Sequence, residues 1–126
     1  MIVRIFKTKA LARFTKRERI SDASLTEAIA NAERGLVDAD LGGGVIKQRV
    51  ARVGQGKRGG YRMLIGFRSK HRAVFLFGFA KSEIDNIDDD QLATLREIAA
   101  AWFAADDMKI SRAIADGLLI EVQHGD

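Results

Sequence analysis

The order of apolar periodicities along the chain predicts an α+β fold built around an antiparallel sheet. Three β-rich runs stand close together in the middle of the chain, and helix-period stripes lie before and after them. The length, 126 residues, allows one domain with a core of its own, so residues 1–126 are expected to form a single unit with an acidic helical C-terminal part from about 83. The absence of proline removes the usual marks of a disordered linker.

Ile2 to Phe6 reads as a first strand, followed by a basic helical stretch with Ala10, Leu11 and Phe14 on one side. Ser24 and Glu27 form a Ser-x-x-Glu capping box for a second helix carrying Leu25, Ile29 and Ala32 and ending at Gly35. After Gly42, Gly43 and Gly44 come the strand-like runs Val45 to Val53, Tyr61 to Phe67 and Ala73 to Ala80, whose short links predict a meander. In the second run, Tyr61, Met63, Ile65 and Phe67 alternate with Arg62, Leu64, Gly66 and Arg68, a period of two that predicts one more polar face. Asp88 and Gln91 cap a further helix with a stripe of Leu92, Leu95, Ile98, Ala99, Trp102 and Phe103. A last helix, roughly Lys109 to Asp116, stops at Gly117 before a short apolar, strand-like run, Leu118 to Val122. Phe75, Phe77 and Phe79 alternate on one strand face and are expected in the core, as are Trp102 and Phe103.

Charge is distributed unevenly. Residues 1–82 hold eighteen Lys or Arg against six Asp or Glu, whereas 83–126 hold three against eleven. Lys47 to Lys81 carries ten cations and no acid, a one-sided field that favours a polyanion such as nucleic acid. With no cysteine, disulfides, thiolate metal sites and cysteine nucleophiles are excluded. The longest apolar or glycine run, Ala73 to Ala80, is too short to span a membrane, and the N-terminus lacks a signal-peptide core, so a cytoplasmic protein with no membrane partner is expected.

Gly54-Gln55-Gly56-Lys57-Arg58-Gly59 matches the letters of a dinucleotide fingerprint, but a strand follows it where that motif needs a helix. The Walker A pattern fails too, for want of Ser or Thr after Lys57. The glycines read instead as a flexible connection that lets backbone approach a ligand while Lys57 and Arg58 face its phosphates. Asp88, Asp89 and Asp90 precede an amphipathic helix and are read as its cap and dipole complement; no metal and no cofactor is expected. His71 is placed in an exposed turn, Ser69 to Arg72, and His124 in a fraying terminus.

The segments Lys47-Gln48-Arg49-Val50-Ala51-Arg52, Gly54-Gln55-Gly56-Lys57-Arg58-Gly59-Gly60-Tyr61-Arg62 and Phe79-Ala80-Lys81-Ser82-Glu83 with Asn86-Ile87 resemble the RelE/ParE toxin superfamily, its HigB-type RelE branch most of all. The resemblance implies a sheet of about four strands, mixed at the edge, with two N-terminal helices and one or two C-terminal ones. It implies a toxin that cuts messenger RNA on the ribosome, neutralised by a cognate antitoxin, often a helix-turn-helix protein. A ParE-type gyrase inhibitor that cuts no RNA shares the fold and is the alternative, and a non-catalytic RNA-binding module is a third reading.

Cleaving RNA requires deprotonation of a 2′-hydroxyl, neutralisation of charge on the attacked phosphate and protonation of the 5′-oxygen. Guanidinium and ammonium groups supply much of this without metal. From position and resemblance, Arg62 is expected to clamp the scissile phosphate, Lys57 to act as base or charge stabiliser and Lys81 to support the leaving group. Arg49, Arg52, Arg58 and Arg68 are expected to hold neighbouring phosphates, and Tyr61 or Phe67 to stack on a base. RelE itself has a tyrosine soon after its last catalytic arginine, whereas here Lys81 is followed by Ser82, Glu83 and Asn86. Glu83 either transfers protons in its place or pairs with nearby cations.

Overall fold

The computed structural model describes residues 3–52, 56–80 and 87–123, with the side chains of 52 and 56–59 left aside. Strand β1 (Arg4–Thr8) leads into helices α1 (Lys9–Glu18) and α2 (Asp22–Glu33). Then come strands β2 (Ala39–Asp40), β3 (Val45–Arg52), β4 (Gly56–Arg68) and β5 (Arg72–Ala80), helices α3 (Asp89–Ala104) and α4 (Asp107–Ala115), and strand β6 (Leu119–Glu121). One sheet of six strands results, in the order β2-β3-β4-β5-β1-β6. The α+β expectation holds, with a sheet wider than the four or so strands foreseen: β6 falls on the apolar run Leu118 to Val122, and β2, two residues long, is too short to leave a periodicity. Pairing is antiparallel except between β1 and β5, which lie parallel with Arg4 beside Arg72 and Ile5 beside Ala73. At the β6 edge, Arg4 of β1 donates from Nε (3.0 Å) and Nη2 (3.1 Å) to the Glu121 carboxylate, tying β6 down. These hydrogen bonds raise the Arg4 pKa.

Helices cover both faces. Leu11 of α1 and Leu25, Ala28, Ile29 and Ala32 of α2 pack with Ile5, Ile46, Val50, Met63, Ile65 and Phe75 of the sheet. On the other face Ala99 of α3 and Ile110 and Ala113 of α4 pack on Phe6, Val45, Leu64, Val74 and Leu76. The more polar face expected of β4 is therefore polar only at its ends, Arg62 and Arg68. Between them α3 seals Leu64 and Gly66, coming so close that a Cβ at 66 would lie 3.0 Å from Cβ of Ala99. Ile98 points away from this contact and is exposed, at odds with its place in the expected stripe. Among the described residues no helix is long and apolar enough to cross a membrane.

Cap chemistry sets the helix boundaries. The start of α2 is fixed by Ser21 rather than Ser24: Ser21 has the extended backbone an N-cap needs, and its hydroxyl accepts the Ser24 N–H at 3.2 Å. Gly35, at φ +79°, stops that helix as expected. Asp88 and Gln91 form the anticipated capping box of α3, with bonds of 2.8 and 3.1 Å. Helix α4 starts two residues before Lys109, because Asp106 caps it by accepting the Lys109 N–H at 2.8 Å.

Two further expectations on the sheet are corrected. Strand β4 begins at Gly56, five residues before Tyr61, so much of the glycine-rich segment read as a connection is strand backbone, paired at Gly56 with Arg52. The three phenylalanines of β5 do not share a face: the register against β4 slips between Leu64–Phe77 and Ile65–Phe75. This bulge leaves Phe75 in the core beneath α1 and α2, and turns Phe77 and Phe79 to the other face, where Phe77 is 45% exposed.

Gly44 is the tightest joint between loop and helix. Its φ is +82°, and a Cβ there would lie 2.6 Å from Cε2 of Phe103. Gly44→Ala is expected to destabilise the fold by about 2–3 kcal/mol, combining left-handed strain with overpacking. At Gly35, also left-handed but with nothing within 4 Å, alanine should cost only about 1 kcal/mol. Urea titration of the two variants checks this; equal losses would assign the whole effect to backbone conformation.

Candidate functional site

On the α3 face of the sheet, three residues from neighbouring strands stand side by side: Arg49 of β3 opposite Arg62 of β4, and Arg62 opposite Phe79 of β5. The adjoining row on that face is Lys47, Leu64 and Phe77. Like charges placed directly opposite repel, and among the described residues one carboxylate answers them. Asp38 lies with Oδ1 3.5 Å from Nε of Arg49, and with Oδ2 3.6 Å from Nε of Arg62 and 3.8 Å from Nζ of Lys47.

A buried amide holds that acid in place. Gln48 points to the opposite face of β3, where its Nε2 donates to the carbonyls of Ala28 and Leu36, both at 2.9 Å, and its Oε1 accepts the Asp38 N–H at 3.1 Å. One glutamine thus pins the segment after α2 to the edge of the sheet.

The Arg62 side chain is only 9% exposed. Its Nη1 is buried and has no hydrogen-bond partner among the described residues. A charged donor in that state is costly unless an acceptor arrives, and an anionic oxygen would be one. Arg49 and Lys47, more exposed, ring the same position. The arrangement can bind an anion at Arg62 and neutralise charge that develops on it.

Other expected site residues fall elsewhere. Arg68 lies on the same face as Arg62 but six residues along β4, about 20 Å away at strand rise, and its guanidinium sits 4.8 Å over the ring of Phe103. It does not join the cluster. Tyr61 is buried, edge-on to Phe14 at 5.4 Å, with its hydroxyl donating to Oε1 of Glu18 at 2.8 Å, so its ring offers no open face to a base. Phe67 packs against the core beneath α1 and α2. Lys57 lies on the β4 backbone, but its side chain and those of Arg52 and Arg58 are outside the described residues, as are Lys81 and Glu83 just beyond β5, and His124. His71 is exposed in the turn before β5.

Phe77, expected in the core, is left open by the fold. It meets Phe79 edge-on at 4.9 Å, and both line a groove of about 750 Å³ between α1 and α3 whose walls include Arg13 and Arg17. Asp38 and Gln48 were missed as well. The available signal was that only two acids, Asp38 and Asp40, occur between Glu33 and Glu83.

A family model described as "RelE toxin of RelE / RelB toxin-antitoxin system" matches residues 3–122. No curated protein matches the chain at a significant level.

Proposed function

The chain belongs to the RelE toxin family and so is a toxin of a toxin–antitoxin system with an antitoxin as its partner; from that premise we propose that it is a messenger-RNA endoribonuclease acting on the ribosome, of the HigB-like kind. The observation that carries this reading is the buried Arg62, its Nη1 unpaired among the described residues, set beside Arg49 and Lys47 on one sheet face. In the proposed reaction a 2′-hydroxyl attacks the adjacent phosphorus in line. The P–O5′ bond breaks, and a 2′,3′-cyclic phosphate and a 5′-hydroxyl remain. Arg62 holds the non-bridging oxygens, and its fixed charge stabilises the transition state most, because little water competes for it.

Lys57, as its neutral amine, is assigned the proton of the 2′-hydroxyl, and Lys81 the charge on the departing 5′-oxygen, which takes its proton from water. Arg52 and Arg58 are assigned flanking phosphates. Lysine and arginine side chains take every one of these roles, so the scheme uses no metal. The exposed Phe77 takes over base stacking from Tyr61, whose ring is enclosed.

The test is a reconstituted ribosome programmed with a short message. Wild-type protein is expected to produce cyclic-phosphate and 5′-hydroxyl ends at one position, and a message with a 2′-deoxy sugar at that position should stay intact. Cleavage of the deoxy message would overturn the mechanism. An intact ordinary message would overturn the activity, and gyrase inhibition by the same preparation would then put the chain with ParE-type toxins.

A further inference from the structure

We infer that Asp38 is a built-in counter-ion of this site, a positioning residue that keeps hold of Arg62 while an RNA phosphate displaces it from Lys47 and Arg49. The inference deepens the nuclease reading and rests on it.

The geometry supports such a division of labour. The three ion-pair distances, 3.5 to 3.8 Å, exceed those of hydrogen-bonded N⁺–H···O⁻ contacts, about 2.7–2.9 Å. The carboxylate therefore sits among the three cations without being committed to one. Its side chain is 22% exposed, and the cations grade from Arg49 at 53% through Lys47 at 31% to Arg62 at 9%. Ion pairs in contact with solvent contribute little and exchange readily, so an incoming phosphate displaces the acid from Arg49 and Lys47 first. Arg62 is different. Its Nε faces Asp38 and its Nη1 lacks an acceptor among the described residues, so the guanidinium has donors left for a phosphate oxygen beside the carboxylate.

Asp38 would then do two things. It fixes the rotation of the Arg62 guanidinium before substrate arrives, which removes an ordering cost from the reaction. It also cancels one of three positive charges, which weakens capture of polyanions that do not bring a phosphate to Arg62. A purely structural role is already served by the Asp38 backbone N–H, which Gln48 accepts whatever the side chain is.

Asp38→Asn tests this, with Asp38→Glu as the conservative variant. In Asp38→Asn a 2′-deoxy oligonucleotide, which cannot be cleaved, should bind several-fold more tightly. The dependence of log K on log salt should steepen by about one phosphate equivalent. Single-turnover cleavage on programmed ribosomes should fall about tenfold to a hundredfold with no rise in KM, and Asp38→Glu should recover part of it. The Nε–Hε resonance of Arg62 should shift or broaden in Asp38→Asn and return in Asp38→Glu.

An unchanged Arg62 resonance with unchanged oligonucleotide affinity would overturn the inference. So would an Asp38→Asn chain that fails to fold, since the Gln48 clasp is held to suffice. The resonance and affinity measurements need no cleavage, so they judge Asp38 even if wild-type protein leaves messages intact, a result that would count against the nuclease reading alone.

Discussion

Arg62→Ala is expected to lower the single-turnover rate of message cleavage by about two to three orders of magnitude, the usual consequence of removing a preorganised charge from a developing anion. Arg62→Lys should recover part of the rate, because an ammonium supplies the charge without the paired donors of a guanidinium. The fold should tolerate both changes. Arg62 is a buried cation whose Nη1 has no acceptor among the described residues, so its removal also relieves a desolvated donor. Loss of activity with an unchanged urea midpoint separates a functional arginine from a structural one. Retention of activity within about tenfold in Arg62→Ala, well inside the loss expected for such a group, would remove Arg62 from the chemistry.

Arg72→Met should have the opposite profile. Arg72 is buried at the start of β5, and its Nη1 donates to the carbonyl of Ala105 at 2.8 Å and to that of Trp102, both at the C-terminal end of α3. Burial lowers its pKa, yet the group remains charged at any pH where the protein is handled. Its hydrogen bonds satisfy carbonyls that the end of a helix leaves without partners. Methionine fills comparable volume but leaves those oxygens unpaired, and a loss of about 2–4 kcal/mol is expected from urea titration. Arg4 and Arg68 both stand beside Arg72 in the sheet, so there is a competing possibility: if repulsion among the three outweighed the carbonyl bonds, the substitution would be neutral or stabilising. A loss below about 1 kcal/mol, under the range for charged hydrogen bonds, would favour that view.

Legibility in the sequence followed the physics of each element. Helix α3 was readable at both levels, with its Asp88–Gln91 cap and its stripe, because capping and periodicity are local signals. The meander of β3, β4 and β5 was readable in order, but the β5 bulge was not. It depends on register against β4, and its effect is to move Phe77 and Phe79 off the face of Phe75. The parallel contact of β1 with β5 joins residues about 68 apart, a pairing that no local pattern encodes. The site was half visible. A run of cations marked the strands, Arg62 among them, but whether a given arginine clusters, as Arg62 does, or lies on a ring, as Arg68 does, is set by the sheet. Asp38 escaped notice because an acid in a basic region reads as a loop residue until Gln48, ten positions on, is seen to fasten it to the site. Tyr61 illustrates the converse: its place beside Arg62 in sequence suggests a base platform, and the alternation of a strand sends it to the opposite face and into the core.

The most direct measurement is a nucleotide-resolution map of transcript 5′ ends in cells after brief induction of the wild-type chain or of Arg62→Ala. The expected result is a set of new ends in phase with codons within translated regions for the wild type, and their absence for Arg62→Ala at equal protein level. Intact transcripts under the wild type, or the same cuts under Arg62→Ala, would contradict the assignment of RNA cleavage to the cationic face around Arg62.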